Sequence, residues 1–238
     1  FSAPLVLQHS YQNHGAYVMN ITIVNQVQFA FLETEVEVQT PIAGLKTFLA
    51  HTGPKEEEGN PGKGPGNTYF PNDFPVMFST FIRNGTNVSY FWDFDDGESV
   101  TTMNISLNHT FKHPGTYEVK LIAENAISRN ITIRVVNMQR MIRINKFQTD
   151  GSQTLGKPIL FEVLLDEAGT DSCFFVNISG YKLMNFKNSK SCPSACGGAS
   201  SEVKVLSNNP TQFSWTHRCS KVGTFNVTVT ACNLVNTI

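Results

Sequence analysis

Four acidic side chains occur within six residues of this 238-residue chain, at Asp93, Asp95, Asp96 and Glu98. Calcium prefers oxygen ligands of this kind, so the cluster is a candidate calcium site. The distant Glu of an EF-hand loop is absent from the spacing. Hydrogen bonding within a tight turn ending at Gly97 explains the Asp content without an ion. We favour that interpretation, and we expect no obligatory cofactor.

Cysteine is the second residue type that could do chemistry here, and it is absent before residue 173. Clustering in one part of the chain indicates a local disulfide framework formed in an oxidising compartment. Because the total is odd, two bridges would leave one cysteine over, and the sequence leaves the connectivity open. No Cys-x-x-Cys pair occurs, which disfavours zinc. The candidates are Cys173, Cys192, Cys196, Cys219 and Cys232.

Asparagine provides a third chemistry, because Asn-x-Ser/Thr sequons accept N-linked glycans in secreted chains. Only 16% of the residues are charged, against roughly 25% in typical soluble domains. Carbohydrate would supply the missing polar cover. The alternative is ordinary Asn, Ser and Thr richness of strands and turns. The sequons begin at Asn20, Asn84, Asn87, Asn104, Asn108, Asn130, Asn177 and Asn226.

Catalysis and nucleic-acid binding find no support in the sequence. We find no nucleophile elbow, metalloprotease helix or dinucleotide fingerprint, so we predict that the chain is not an enzyme. Lys and Arg number 18 against 19 Asp and Glu, for a net charge of −1. No basic stripe is present to neutralise phosphates.

An internal repeat determines the elements that position these residues. A His is followed after six residues by Gly, two later by an aromatic residue and eight later by Asn. Successive His residues are 100 and 108 residues apart, a length that fits a β-sandwich of about 100 residues. The three sets are His9, Gly15, Tyr17 and Asn25; His109, Gly115, Tyr117 and Asn125; and His217, Gly223, Phe225 and Asn233.

Apolar residues alternate from each aromatic onward, which predicts a half-buried strand. In the first set Met19, Ile21 and Ile23 follow Tyr17 at alternating positions and are predicted to face a core. We likewise predict Tyr117 and Phe225 to be core residues. One His in each repeat cannot build a metal site, so we expect these side chains to pack or to form hydrogen bonds.

The middle repeat contains Tyr90-Phe-Trp-Asp-Phe-Asp-Asp-Gly97. This run resembles the WDFGDG signature of the polycystic kidney disease (PKD) repeat, and His109-x-Phe, Gly115-Thr-Tyr-x-Val and Asn125 match that family's later motif. The resemblance covers nearly all of residues 39 to 137. Asp95 stands where the family usually has Gly, and a positive φ is uncommon for a residue other than Gly. We predict that Trp92 is a core residue.

The resemblance implies an all-β chain of tandem immunoglobulin-like sandwiches. We assign residues 1–38 to the last strands of a truncated repeat, 39–138 to a PKD domain and 139–238 to a divergent, Cys-rich PKD-like domain. In that third repeat the strand from Cys173 places Phe175 where Trp92 would be. Residues 53–67, rich in Pro and Gly, are predicted to form an exposed loop inserted into the second repeat.

Two classes of function fit this resemblance. The first is a structural and adhesive array in the ectodomain of a membrane protein similar to the polycystin family. Such an array would bear load and bind protein or glycan ligands at the cell surface, and the rest of the protein would associate with a cation-channel subunit. The second is an accessory binding module of a secreted hydrolase. The many sequons and the Cys-rich third repeat favour the first class.

Overall fold

The computed structural model describes residues 6–51, 68–150, 154–179, 181–188, 192, 196, 203–207, 210–235 and 237–238. The predicted loop at residues 53–67 lies outside this set. Within the described residues the chain forms strands and no α-helix, which confirms the predicted all-β class. The strands are β1 (Gly15–Val24), β2 (Phe29–Val38), β3 (Lys46–His51), β4 (Thr68–Pro71), β5 (Val76–Phe81), β6 (Ser89–Asp93), β7 (Ser99–Thr102), β8 (Ser106–His109), β9 (Gly115–Asn125), β10 (Ser128–Gln139), β11 (Ile142–Thr149), β12 (Pro158–Ala168), β13 (Cys173–Ile178), β14 (Tyr181–Lys187), β15 (Val203–Val205), β16 (Gln212–Arg218) and β17 (Val227–Cys232).

The backbone divides into two compact units whose segments alternate along the chain. One unit contains Phe1–Phe48, Ser79–Leu107 and Lys120–Ile133, and the other contains Leu49–Phe78, Asn108–Val119 and Arg134–Ile238. The repeat boundaries at residues 38 and 138 therefore stay a prediction. We keep the terms first, second and third repeat for residues 1–38, 39–138 and 139–238.

The first repeat contributes an antiparallel hairpin, β1 paired with β2, in which Tyr17 lies opposite Val36. These two strands form a two-stranded sheet in the part of the chain that is described. The predicted inward residues Met19, Ile21 and Ile23 are 38%, 37% and 69% exposed. That prediction is wrong for these positions, because no second sheet covers this face of the hairpin within the described residues.

The second repeat contributes a five-stranded sheet in the order β4-β10-β9-β6-β7 and a three-stranded sheet in the order β3-β5-β8. Burial alternates along β5 and β6, so each of these strands has one covered face. On β6 and β9 the covered side chains include Tyr90, Trp92 and Leu121, each at most 3% exposed. Alternation of this kind is typical of a sheet with one face against a core.

The third repeat is a sandwich of two sheets, one in the order β11-β12-β16 and the other in the order β15-β14-β13-β17. A single buried cluster joins the two sheets, with Val163 and Trp215 from the first and Phe174 and Val176 from the second. Phe213 packs with Phe174 at a ring-centroid distance of 5.0 Å. Apolar side chains from two facing sheets are what defines a β-sandwich core.

The register of β13 corrects one sequence prediction. Trp92 is paired with Leu121 in the second repeat, and the 108-residue step of the repeat makes Val229 the equivalent of Leu121. Val229 is paired with Val176 rather than with Phe175. Val176 therefore takes the position of Trp92, and Phe175 lies on the opposite face. A one-residue shift reverses every side chain of a strand, because successive side chains alternate between faces.

Candidate functional site

The carboxylate cluster forms a turn between β6 and β7. The Asp95 backbone N–H donates to Asp93 Oδ1 at 3.2 Å, and the Glu98 N–H donates to Asp96 Oδ1 at 3.1 Å. Asp95 has a φ of 61° and Gly97 a φ of 93°. Asp95 thus adopts the left-handed conformation that Gly adopts most easily and that Asp tolerates better than most residues.

Two of the four carboxylates therefore accept hydrogen bonds from the turn's own backbone. Across the described residues no three His, Cys, Asp or Glu side chains converge on a position that could hold a metal ion. The turn without an ion stays our prediction for Asp93, Asp95, Asp96 and Glu98, with calcium as the weaker alternative.

Trp92 lies immediately before this turn, and its buried side chain anchors the start of the turn in the core. Its side chain is 1% exposed and stacks on Phe94 with an angle of 3° between the ring planes and 6.4 Å between centroids. Tyr90, two residues earlier on the same face, is 3% exposed, and burial raises the pKa of its phenol above the ordinary value. The phenol is therefore neutral at physiological pH.

The repeated His, the aromatic residue two positions after it and the repeated Tyr pack together in the same way in the first and second repeats. We call this three-ring arrangement the corner of the repeat. His9 meets Tyr11 edge-on and His109 meets Phe111 edge-on, both at a centroid distance of 4.7 Å. The next ring, Tyr17 or Tyr117, lies 4.4 or 4.5 Å from that aromatic. These contacts place both histidines in packing roles.

Each corner is closed by a tyrosine hydroxyl. The Tyr17 hydroxyl donates to the Asn13 carbonyl and the Tyr117 hydroxyl donates to the His113 carbonyl, both at 2.9 Å. Both tyrosine side chains are half-buried. The bond fixes the turn that leads into β1 or β9.

The third repeat lacks this corner, and the prediction that Phe225 is a core residue is wrong. Phe225 is 39% exposed. It has no hydroxyl to close a turn, and Cys219 occupies the place of the aromatic partner. The described β17 begins only at Val227. Without a neighbouring ring or strand pairing, the side chain stays at the surface.

In the second repeat, the repeated Asn forms hydrogen bonds that hold Thr40, the residue at which the chain enters the repeat. Asn125 Nδ2 donates to the Thr40 carbonyl at 2.9 Å and to the Thr86 carbonyl at 3.0 Å. The Thr40 N–H donates to Thr86 Oγ1 at 2.9 Å. The Ala126 N–H donates to Gln39 Oε1 at 3.0 Å. We call Gln39, Thr40, Thr86 and Asn125 the latch of the second repeat.

The third repeat has an equivalent latch made of Gln139, Arg140, Thr170 and Asn233. Asn233 Nδ2 donates to the Arg140 carbonyl at 2.8 Å and to the Thr170 carbonyl at 3.2 Å. The Arg140 N–H donates to Thr170 Oγ1 at 3.0 Å. The Leu234 N–H donates to Gln139 Oε1 at 3.2 Å. Every bond of the first latch has its counterpart here.

Gly169 allows the loop that carries Thr170, in the latch of the third repeat, to approach Ile142 closely. Its φ is 73°, and a Cβ atom there would lie 2.6 Å from Ile142 Cγ1. Sequence reasoning identified Asn125 and Asn233 as repeated but missed their partners. The repeat spacing does not reveal them, since Gln39 and Gln139 are 100 residues apart whereas Asn125 and Asn233 are 108 residues apart.

Four of the five cysteines form two disulfides, Cys173–Cys192 and Cys196–Cys232. Cys219 is half-buried and is not in a disulfide. Cys173 and Cys232 are direct partners across β13 and β17. Both lie on the face turned away from the sandwich core, where they pack with Phe175, Cys192 and Cys196. The two bridges therefore tie residues 192 and 196 to the outward face of this sheet.

The equivalent outward face of the second repeat has no disulfide and is only partly covered, since Ile122 on that face is 7% exposed. Phe91 is paired with Ile122 there, as Phe175 is paired with Thr230 in the third repeat. Phe91 is 36% exposed and Phe175 only 9%. On β10 the outward side chains Ile131 and Ile133 are 54% and 55% exposed. The second repeat therefore presents apolar side chains on this face.

The sequons differ in what their asparagines do. Asn130 is half-buried, and its Nδ2 donates to the Ile42 carbonyl at 2.9 Å, so its amide serves the fold. Asn177 is also half-buried and is paired with Thr228, the Thr of the sequon at Asn226. Glycan attachment stays a prediction at all eight sites. The exposed acceptors are Asn20, Asn84, Asn87, Asn104, Asn108 and Asn226.

These features define an all-β chain in which the second and third repeats share the latch and the first and second share the His and aromatic packing, and the comparison with known proteins agrees. Residues 63–137 match the model of the PKD domain family. That match contains the Trp92 turn, the His109 corner and Asn125, and it confirms the PKD resemblance.

Human polycystin-1 is 24% identical to the chain over 173 residues, which are 72% of this chain and 4% of that protein. The resemblance to the polycystin family is thereby confirmed, over a small part of that relative's length.

Solved structures of similar domains include the PKD domain of the human VPS10 domain-containing receptor SorCS2. It shares 19% identity, covers 48% of this chain and 86% of its own, and has a TM-score of 0.32. The fibronectin(III)-like modules of Clostridium thermocellum CbhA share 13% identity over 77% of this chain and 85% of theirs, with a TM-score of 0.29. In the described residues, no helix has the length and apolar character needed to span a bilayer.

Proposed function

We propose that this chain is a non-catalytic extracellular array of β-sandwich repeats in the ectodomain of a polycystin-like receptor or channel subunit. It bears load and binds protein or glycan ligands at the cell surface. The match to the PKD domain family and the likeness to polycystin-1 support this proposal. Two disulfides in the third repeat fit an oxidising extracellular compartment. Association with a cation-channel subunit, through the rest of the protein, is part of the same proposal.

The repeated latch is the observation that carries the load-bearing role. In the second and third repeats one Asn amide donates to the carbonyl of the entering residue, Thr40 or Arg140, and to the carbonyl of a loop Thr. Tension applied along the chain reaches a repeat at that entering residue. The entering segment cannot peel away until these bonds break, so the latch resists extension where the load arrives.

Ligand binding is assigned to the surface because a sandwich scaffold holds its loops and outward faces in fixed positions. The partly covered outward face of the second repeat offers Phe91, Ile131 and Ile133, each at least 36% exposed. Specificity would come from the polar residues and loops that border these side chains.

Single-molecule extension of the chain tests the load-bearing role. Asn125→Ala should lower the unfolding force of the second repeat, because both of its Nδ2 bonds are lost. Asn104→Ala is the matched control, since Asn104 is exposed and makes no side-chain hydrogen bond in the described residues. Equal unfolding forces for Asn125→Ala and Asn104→Ala would contradict a load-bearing latch.

The disulfides identify which repeat has opened in such an experiment. The two bonds enclose 19 and 36 residues of sequence separation. With about 3.3 to 3.6 Å of extension for each residue, an oxidised third repeat should release roughly 180 Å less chain than a reduced one. The second repeat has no cysteine, so its extension should not change on reduction.

A further inference from the structure

The four bonded cysteines of the third repeat occupy a single cluster. Cys173 and Cys232 face each other across β13 and β17. They pack with Phe175, Cys192 and Cys196 in a cluster separate from the sandwich core. Each strand cysteine is bonded not to the other but to one cysteine of the pair at positions 192 and 196.

A second pairing of the same cysteines is compatible with this backbone. Residues directly opposite in an antiparallel pair have Cα atoms about 4.5 to 5.5 Å apart. That range falls within the roughly 4.4 to 6.8 Å of disulfide-bonded cysteines. Cys173 and Cys232 therefore satisfy the Cα distance of a disulfide without movement of either strand. Cys192 and Cys196 are four residues apart in the sequence, so a short loop would join them.

We propose that this cluster is a thiol-disulfide exchange site with two pairings. One is the observed Cys173–Cys192 and Cys196–Cys232, and the other is Cys173–Cys232 with Cys192–Cys196. A small extracellular thiol, such as glutathione, is the co-reactant. It acts as a catalyst, because the exchange forms two disulfides and breaks two, with no net oxidation or reduction.

Burial sets the order of the steps. Cys173 and Cys232 are 0% and 3% exposed, while Cys192 and Cys196 are half-buried. An incoming thiolate therefore attacks Cys192 Sγ, forms a mixed disulfide there and expels the Cys173 thiolate. That thiolate attacks Cys232 Sγ across the strand pair, forms the Cys173–Cys232 bond and expels the Cys196 thiolate. Cys196 then attacks the mixed disulfide at Cys192, closes the Cys192–Cys196 bond and releases the small thiol.

The exchange changes what the sheet presents to solvent. In the observed pairing the bonded cysteines cover Phe175, which is 9% exposed. In the second pairing Cys192 and Cys196 are no longer tied to β13 and β17. The outward face of the third repeat then resembles that of the second, where the equivalent Phe91 is 36% exposed. The site thus controls access to an apolar surface by a redox-neutral rearrangement.

Disulfide mapping of the oxidised full chain in a glutathione buffer tests the proposal. Trypsin cuts after Lys190 and Lys204 and leaves Cys192 and Cys196 in one peptide. The observed pairing links that peptide to the two peptides that carry Cys173 and Cys232. The second pairing links those two peptides directly to each other and leaves an internal disulfide in the peptide with Cys192. We expect the second pattern to grow with time in the buffer and to be absent without thiol.

A double variant isolates the key geometric claim. Cys192→Ser with Cys196→Ser leaves Cys173 and Cys232 with no other partner in the cluster, and they should oxidise to a direct disulfide in the folded chain. Trp215 fluorescence reports whether the third repeat is folded, because Trp215 lies in its core. A folded double variant in which Cys173 and Cys232 stay as thiols under oxidant would overturn the proposal.

Cys219→Ser provides the matched control, because it removes the cysteine outside the two bonds. The exchange should proceed at the same rate in this variant. New bonds to Cys219 in the wild-type chain, or a mixture of all pairings, would show that the third repeat unfolds before it rearranges. Either result would also overturn the proposal, while leaving the load-bearing role intact.

Discussion

The second and third repeats use one sheet face in two ways. In the second, Ser89 and Phe91 lie across from Glu124 and Ile122, and Phe91 is 36% exposed. In the third, Cys173 and Phe175 lie across from Cys232 and Thr230. The third repeat's face is closed by two disulfides, and the second repeat's face is partly open, with Phe91 exposed and Ile122 buried. The same strand pairing is therefore compatible with an outward face that partners can reach, or with one that the chain covers through its own disulfides.

The cores of the second and third repeats contain side chains of different size at one equivalent position. Trp92 and Val176 occupy equivalent sites and are 1% and 0% exposed. Trp92→Ala should reduce the free energy of unfolding by roughly 3 to 5 kcal/mol, because it leaves a large cavity. Val176→Ala should cost about 1.6 kcal/mol, the value for two buried methyl groups. Thermal and urea denaturation measure both, and a loss below about 1 kcal/mol for Trp92→Ala would show that Trp92 is not in a core.

Removal of the disulfides should destabilise the third repeat alone. The Cys196–Cys232 bond spans 36 residues and the Cys173–Cys192 bond 19. The chain-entropy model then gives about 4 and about 3 kcal/mol for the two bonds. Paired Cys→Ser variants, followed by Trp215 fluorescence in a Trp92→Phe background, measure the difference. A larger loss from the shorter bond would contradict the entropic ranking.

Substitution of the two latch asparagines, Asn125 and Asn233, should lower the free energy of unfolding more than substitution of Asn25. Asn125→Ala and Asn233→Ala each remove two side-chain amide bonds to backbone carbonyls and should cost roughly 2 to 3 kcal/mol. Asn25 Oδ1 only accepts bonds from the Val27 and Gln28 N–H groups, so Asn25→Ala should cost about 1 kcal/mol. Urea titrations of the three variants provide the comparison. Equal losses at Asn25 and Asn125 would mean that the latch adds no stability.

The smallest expected effect concerns the outward aromatic residues. Phe91→Ala should destabilise by about 1 to 1.5 kcal/mol less than Phe175→Ala, because Phe91 buries less of its ring and the difference scales with apolar area. The same urea titrations resolve a difference of this size. Equal costs would indicate that the two faces are covered to the same extent.

Local patterns were enough to predict much of this molecule. Alternating apolar residues predicted β9 and β17, and the motif around Trp92 predicted a buried aromatic followed by a tight turn. Asp95 stands where Gly is usual and still adopts a φ of 61°. The repeat spacing predicted that the Tyr17 and Tyr117 regions would be alike, and their corners agree within 0.1 Å in the centroid distances of their rings.

Other features depended on partners far away in the sequence. The prediction that Phe175 replaces Trp92 was wrong by one position, because only strand pairing fixes register. Phe225 matched the aromatic pattern but is exposed, since its neighbouring aromatic is replaced by Cys219. The partners of Asn125 are 85 and 39 residues away in the sequence, beyond the range of any local pattern.

The sequence by itself determined the β class, the repeat, the PKD motif and the concentration of cysteine in the third repeat, because each depends on residue type and short spacing. The tertiary structure decided which cysteines are bonded, which face each aromatic occupies and which hydrogen bonds hold the entering residues of the second and third repeats. Those outcomes depend on which strands become neighbours. Neighbouring strands are chosen by the free energy of the whole sandwich rather than by any one segment.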